Sequence, residues 1–175
     1  VTVVAGGPAV IDDSKLKKNI LARGADELVM VADDAYADMD AYATAAALTS
    51  VIDGLDGWDV IVCGDGSADN YAQQVDVQLA HRLGAPVATA AVEIVPAALR
   101  ARRRLEDVVE TVELPMPCVV SVLPDIALPR IPGMKDILAA GKKPMRVEGA
   151  PAAPETAAEI IDIKAPEAEE RKLEV

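Results

Sequence analysis

An α/β fold on a mainly parallel sheet is what this sequence predicts, and three observations predict it. Short apolar runs rich in Val, Ile and Leu alternate with stretches of helical period as far as residue 95, the rhythm of a parallel α/β sheet. The runs are apolar at consecutive positions, as strands covered on both faces are. Glycines fall where helices should stop, at Gly24, Gly54 and Gly84.

Taken in order, Val1–Ala5 is a β-branched run ending in Gly6-Gly7-Pro8, the punctuation of a buried strand's C-terminal end. A helix follows over Asp13–Arg23, with Leu16, Ile20 and Leu21 on its inner face and Lys15, Lys17 and Lys18 outside. Glu27–Ala32 reads as a second buried strand, and Asp33 and Asp34 lead into an Ala-rich helix over Met39–Ile52. Trp58–Cys63 is the third strand, Gly64–Asp69 its loop, and Tyr71–Leu83 the next helix. Pro86–Val95 resumes a strand pattern. Residues 98–113 carry charges at alternating positions and read as an antiparallel edge hairpin that turns near Glu106 and Asp107. Pro117–Val122 is one more apolar strand, and Met134–Ala140 a short helix before Lys142 and Lys143. From about Arg146 the chain is Ala, Pro and Glu, too poor in apolar surface to order itself. Residues 1–145 are therefore read as one α/β domain and 146–175 as a flexible C-terminal arm.

Composition narrows the function classes. Of the 175 residues 51% are apolar, yet there is no Phe, one Trp and three Tyr. The core must come from aliphatic residues and many Ala, whose small side chains suit close helix-on-sheet packing. Seventeen basic residues against 29 acidic ones give a net charge of -12. Nucleic acid is excluded as a partner, because phosphate binding needs clustered Lys and Arg. No apolar run reaches the roughly 18 residues of a membrane span, and no basic n-region opens the chain. A cytoplasmic protein without membrane insertion is expected. Cys63 and Cys118 sit in apolar runs and read as reduced buried thiols. His81 is the only histidine, so a zinc site is not expected. The acidic group Asp33, Asp34, Asp38 and Asp40 fits no calcium-loop spacing and reads as solvation of helix N-termini.

In open α/β sheets, ligands bind beyond the carboxyl ends of strands, on loops that lead into helix N-termini. Cys63–Asp76 (CGDGSADNYAQQVD) occupies such a place. Gly64 and Gly66 let the backbone approach a ligand. Ser67, Asp69 and Asn70 are natural caps for the helix behind them, whose free N–H groups favour phosphate. Gln73 and Gln74 are placed in its first turn, with amides in reach of phosphate or ribose oxygens. From the residues alone, a nucleotide site and a plain capped turn both remain open.

The run Lys15–Leu28 (KLKKNILARGADEL) resembles a βα unit of electron transfer flavoprotein beta subunits. The loop Cys63–Val75 is similar to the form in the nitrogen-fixation and carnitine-linked branch of that family. Arg103-x-Leu-Glu-Asp107 matches too, as do Pro129–Lys135 (PRIPGMK) and Ala140–Pro144 (AGKKP), all in order and spacing to about residue 147. The resemblance implies a Rossmann-like fold of the adenine nucleotide alpha hydrolase-like kind. It implies an electron carrier and not an enzyme, paired with an alpha subunit, sharing FAD with it and serving acyl-CoA-type or quinone-linked dehydrogenases. It also implies an AMP in the beta subunit's own site, or a second FAD in electron-bifurcating members. Cys63, Gly64, Gly66, Ser67, Asp69, Asn70, Gln73, Gln74 and Val75 would line that site, with the N–H groups near Gln73–Val75 on the phosphates. Arg103 would face the shared flavin. Arg130, Pro132, Met134 and Lys135 match the loop that docks partner dehydrogenases, where Met suits an adaptable surface.

Two departures stand out. The family's opening strand and loop have no counterpart here, so an N-terminal segment of roughly fifty residues is expected to be lacking. Asp76 stands where the family has Gly, and a carboxylate beside a phosphate is repulsive unless it points into solvent. A stand-alone adenine-nucleotide-binding regulatory module is the rival from another class. Its Gly-rich loop with a terminal Gly-Ser is not in this sequence.

Overall fold

The computed structural model describes residues 1–67, 71–96, 99–149, 155–162 and 164–165. Among these the chain runs β1 (Thr2–Gly7), α1 (Ser14–Ala22), β2 (Glu27–Ala32), α2 (Ala41–Ile52), β3 (Val60–Gly64) and α3 (Val75–Leu83). It continues as β4 (Val87–Val95), β5 (Arg100–Arg104), β6 (Val109–Glu113), β7 (Cys118–Val122), α4 (Met134–Ala140) and β8 (Met145–Glu148). The expected α/β class is what forms, with one refinement. The strands make two hydrogen-bonded sheets: an all-parallel β1-β2-β8, and a mixed β3-β7-β4-β5-β6. In the second, β3, β7 and β4 are parallel and β5–β6 is the expected antiparallel hairpin at the edge.

Period-two burial in β2 sorts the helices onto two faces. Leu28 and Met30 pack with Leu21, Ala22 and Ala140 of α1 and α4. Val29 and Val31 point the other way, onto Tyr36, Ala47 and Val51. Fully burying Leu21, Leu28 or Met30 contributes about 1.5–3 kcal/mol each. The α2–α3 pair continues beneath β3, where Ala45, Ile52 and Leu79 meet Ile61 and Cys63. Ala43 and Ala45 are wholly buried, so small side chains seat α2 close to its neighbours. On the opposite face of the second sheet, Ala88, Ala101, Leu114, Cys118 and Val120 form a further core.

Side-chain caps set the starts of α1 and α2. Asp13 accepts the Leu16 N–H at 2.8 Å and Asp40 the Ala43 N–H at 2.8 Å. Asp33 and Asp34 likewise accept the N–H groups of Ala35 and Ala9, so the acidic group does cap turns. Gly84 ends α3 in the left-handed region, at φ +63.

Four readings need correction. Met145–Glu148 is a strand parallel to β2, paired from Leu28–Met145 to Val31–Glu148; a sheet edge is recruited by backbone groups, which composition does not report. On α1 the inner face is Ile20, Leu21 and Ala22, while Leu16 is exposed and Lys17 lies half-buried against Asp12. The second helix starts at Ala41 and not Met39. The third starts at Val75 and not Tyr71, so Gln73 and Gln74 lie outside its first turn.

Candidate loop site at the end of the third strand

β3 delivers the chain at Gly64 to the carboxyl edge of the second sheet, beside the end of β7. The Asp65 N–H donates to the Val122 carbonyl at 3.1 Å, which carries the β3–β7 pairing one step into the loop. The Asp65 carboxylate is buried and accepts two bonds: from the Tyr71 hydroxyl at 3.1 Å and from Gln73 Nε2 at 2.7 Å. To make them, Tyr71 and Gln73 adopt left-handed backbone conformations, φ 44 and φ 52. The Tyr71 phenol titrates above its ordinary range, because Asp65 accepts its proton and adds negative charge.

Gly66 lies directly under the Tyr71 ring. A Cβ there would sit 2.6 Å from Cδ2 and 2.9 Å from Cε2, so only glycine permits this approach. Around Gly64, by contrast, there is open space. Gly64, Asp65, Gly66 and Tyr71 face Leu123, Pro124 and Ile126 across a cavity of about 320 Å³.

The loop residues expected to bind therefore divide. Cys63, Gly64 and Gly66 stand at or beside the cavity, and Cys63 is half-buried with its thiol pushed up to about 11 by burial and by Asp76. Ser67 caps no helix; its carbonyl accepts the Tyr71 N–H at 3.0 Å. Asp69 and Asn70 lie outside the described residues. Gln73 spends its amide on Asp65, and Gln74 is the N-cap residue without a side-chain cap bond, its Oε1 accepting Gln78 Nε2 at 3.2 Å. Val75 opens α3. Asp76, its second residue, is 3% exposed and its Oδ1 has no hydrogen-bond partner among the described residues. It does not point into solvent.

The residues thus fit a nucleoside better than a phosphate. A small, mostly apolar cavity with one built carboxylate acceptor suits a ring and hydroxyl donors. The start of α3 offers N–H groups, but Asp76 places a buried negative charge among them, which opposes an anion there. Asp65 and Tyr71 were missed by the sequence reading. The cue was the spacing of Asp65, Tyr71 and Gln73, and it carries meaning only once the loop folds back.

Elsewhere, Arg103 is committed to Glu110 across the hairpin, through Nε at 2.8 Å and a terminal nitrogen at 2.7 Å. Its neighbours are paired as well: Arg100 with Glu113, Arg102 with Glu93 and Arg104 with Asp125. Arg130 holds Asp136 at 3.0 Å, and Asp136 also accepts the Gly133 N–H at 2.9 Å, which fixes the turn into α4. That turn holds Pro132 and opens α4 on Met134 and Lys135; Met134 is 74% exposed and not packed on its own domain. Leu128, Ile131 and Leu138 are exposed near it in sequence, extending the expected apolar loop. Their spacing across a Pro-rich turn hid them from periodicity. His81 is exposed on α3. Among the described residues, no group of three His, Cys, Asp or Glu could hold a metal, and no helix is long and apolar enough to cross a membrane.

The family model for the electron transfer flavoprotein domain matches residues 1–153.

Proposed function

The chain belongs to the electron transfer flavoprotein family, and from that premise we propose that it is the beta-type subunit of a heterodimeric carrier. In this reading it pairs with an alpha subunit, holds an adenine nucleotide at the β3 loop and docks dehydrogenases through the turn before α4. The flavin, when bound, supplies the acceptance and release of electrons. The chain's own residues do no bond chemistry.

The observation that carries the nucleotide reading is the cavity at Gly64–Gly66. At about 320 Å³ it stands at the small end of ligand pockets, which run from roughly 300 to 1,000 Å³. A cavity of that size would take the nucleoside part of an adenine nucleotide such as AMP. Asp65 would accept ribose hydroxyls, Gly64 would allow the ligand close to the backbone, and Leu123, Pro124 and Ile126 would exclude water from the base. The exposed Leu128, Ile131, Met134 and Leu138 support the docking role, because isolated apolar residues are ordinary but a run of them marks contact.

Copurification of the full-length chain with an alpha subunit, followed by nucleotide extraction, tests the reading. One FAD and one AMP per heterodimer are expected. Two FAD would support the bifurcating type instead. A chain that binds nucleotide with no alpha subunit and no flavin would overturn the carrier reading.

A further inference from the structure

α3 begins unlike α1 and α2. Asp13 and Asp40 cap those two helices, but Gln74 makes no cap bond, and its Oε1 accepts Gln78 Nε2 instead. The first backbone bond of α3 runs from the Gln78 N–H to the Gln74 carbonyl at 3.0 Å. The N–H groups of Val75, Asp76 and Val77 ahead of it have no partner among the described residues. Donors grouped at the positive end of a helix dipole attract an anion.

Asp76 stands among those donors with the opposite demand. It is 3% exposed, and with Leu79 and Ala80 it makes the buried face of α3. At the second helical position its Cα–Cβ bond tilts back toward the free N–H groups. Yet its Oδ1 has no hydrogen-bond partner among the described residues. A buried carboxylate in that state is costly, and what relieves it is a cation or a strong donor. Asp76 helps raise the Cys63 thiol, so it lies against the end of β3. Gly64, the next residue, borders the cavity read above as the nucleoside site and has open space beside it. A phosphate carried on that nucleoside is brought to the same end of β3.

Each simple occupant fails on one side. A bare phosphate suits the N–H groups and is repelled by Asp76. A bare cation suits Asp76 and is repelled by the helix end. A phosphate that carries a divalent cation meets both demands. Mg²⁺ is commonly held in this way, by one or two carboxylates together with substrate phosphate oxygens and waters. It needs no cluster of three protein ligands, and the described residues hold none.

We propose that the start of α3 binds its nucleotide as a Mg²⁺ complex, with the phosphate on the N–H groups of Val75–Val77 and the cation between that phosphate and Asp76. The proposal rests on the nucleotide reading above and adds the cation to it.

The test uses the full-length chain copurified with an alpha subunit and freed of nucleotide by dialysis. Equilibrium dialysis of labelled AMP in Mg²⁺ and in EDTA reads the cation. AMP should bind about tenfold or more tighter in Mg²⁺, whereas adenosine, which lacks the phosphate, should bind alike in both. Asp76→Asn keeps the side-chain shape and removes the charge, so its AMP affinity should be the same in the two buffers. Mn²⁺ followed by electron paramagnetic resonance reads the metal directly. AMP should increase the Mn²⁺ held by the wild-type complex, beyond what AMP binds alone, and not that held by Asp76→Asn. Equal AMP affinity of the wild type in Mg²⁺ and EDTA would overturn the proposal, and so would a Mg²⁺ dependence that survives in Asp76→Asn. Should the variant fail to assemble, the wild type decides: Mn²⁺ uptake indifferent to AMP counts against the site. A complex that binds AMP in neither buffer overturns the nucleotide reading itself, and the cation with it.

Discussion

Replacing Asp65 by Ala should loosen the candidate loop without unfolding the domain, and the size of the effect follows from two opposing quantities. The carboxylate accepts Gln73 Nε2 at 2.7 Å, a bond to a charged acceptor that contributes about 1.5–3 kcal/mol. Holding Gln73 at φ 52 costs about 1–2 kcal/mol for a residue with a Cβ. Asp65→Ala loses the first and relieves the second. A net global loss of about 1 kcal/mol is expected, seen as a lower urea midpoint with an unchanged m-value. Locally the change is larger, and the Tyr71, Gln73 and Gln74 amides should exchange at least about tenfold faster. The Tyr71 phenol gives an independent signal. Its titration is raised by Asp65, so in the variant it should fall back toward ordinary tyrosine, with Tyr71→Phe identifying its share of the absorbance. Because the folded value is raised, the contribution of this contact is fully present below the unfolded tyrosine range and disappears as pH rises through the folded value. In strong alkali the part of the difference that comes from Tyr71 should therefore vanish, while the part that comes from the Gln73 bond persists. A Tyr71 titration that does not move, or a large global loss with unchanged loop exchange, would refute the account.

Other consequences can be checked alongside. Gly66→Ala drives a Cβ into the Tyr71 ring, so it should free the phenol from Asp65 and weaken the nucleotide retention proposed for this loop while the far-ultraviolet spectrum stays unchanged. Asp40 caps α2 through Ala43 and also accepts the N–H groups of Ala157 and Ala158 at 2.7 and 2.9 Å. Asp40→Ala should cost about 1 kcal/mol for the cap and speed exchange at those two amides. These bonds hold its carboxyl below the usual range, chiefly the one from Ala43, so the attachment is complete above the unfolded aspartate value and is lost as pH falls through the depressed one. Arm amides whose protection relative to the intrinsic exchange rate is the same at pH 7 and in strong acid would contradict this. Met134→Glu, at an exposed first-turn position, should change stability by no more than about 0.5 kcal/mol yet slow electron transfer with the dehydrogenase proposed to dock there.

What was legible in the sequence was what neighbouring residues decide. Glu27–Ala32 and Met134–Ala140 form as read, to the residue, because a continuous apolar run or a Pro-Gly boundary is a local signal. The start of α3 was misplaced by four residues because Asp65 reaches forward to Tyr71 and Gln73 and pulls the chain out of helical geometry. No propensity at Tyr71 records that. β8 escaped for the same reason in another form: Val29 and Arg146 are far apart in sequence, and their pairing belongs to the sheet and not to either segment. At the site, the glycines and the exposed Met134 were legible. The commitment of Gln73 to Asp65, of Arg103 to Glu110 and the burial of Asp76 were not, since each depends on a partner or a packing direction set by the fold.

The paired arginines of the hairpin bear on how the molecule meets others at a distance. Four of the 17 cations are matched to carboxylates on or beside β5, at 2.6–3.4 Å. Such half-exposed pairs contribute only about 0–1 kcal/mol each to stability. Their larger effect is local: the pairing leaves the net charge unchanged but keeps β5 from presenting a basic patch. From a distance the protein is felt as an anion of -12, so the redox partner proposed above would be drawn in before contact where its docking rim is basic. Raising ionic strength shortens the reach of that attraction to about 8 Å at 0.15 M, and the rate of encounter falls with it.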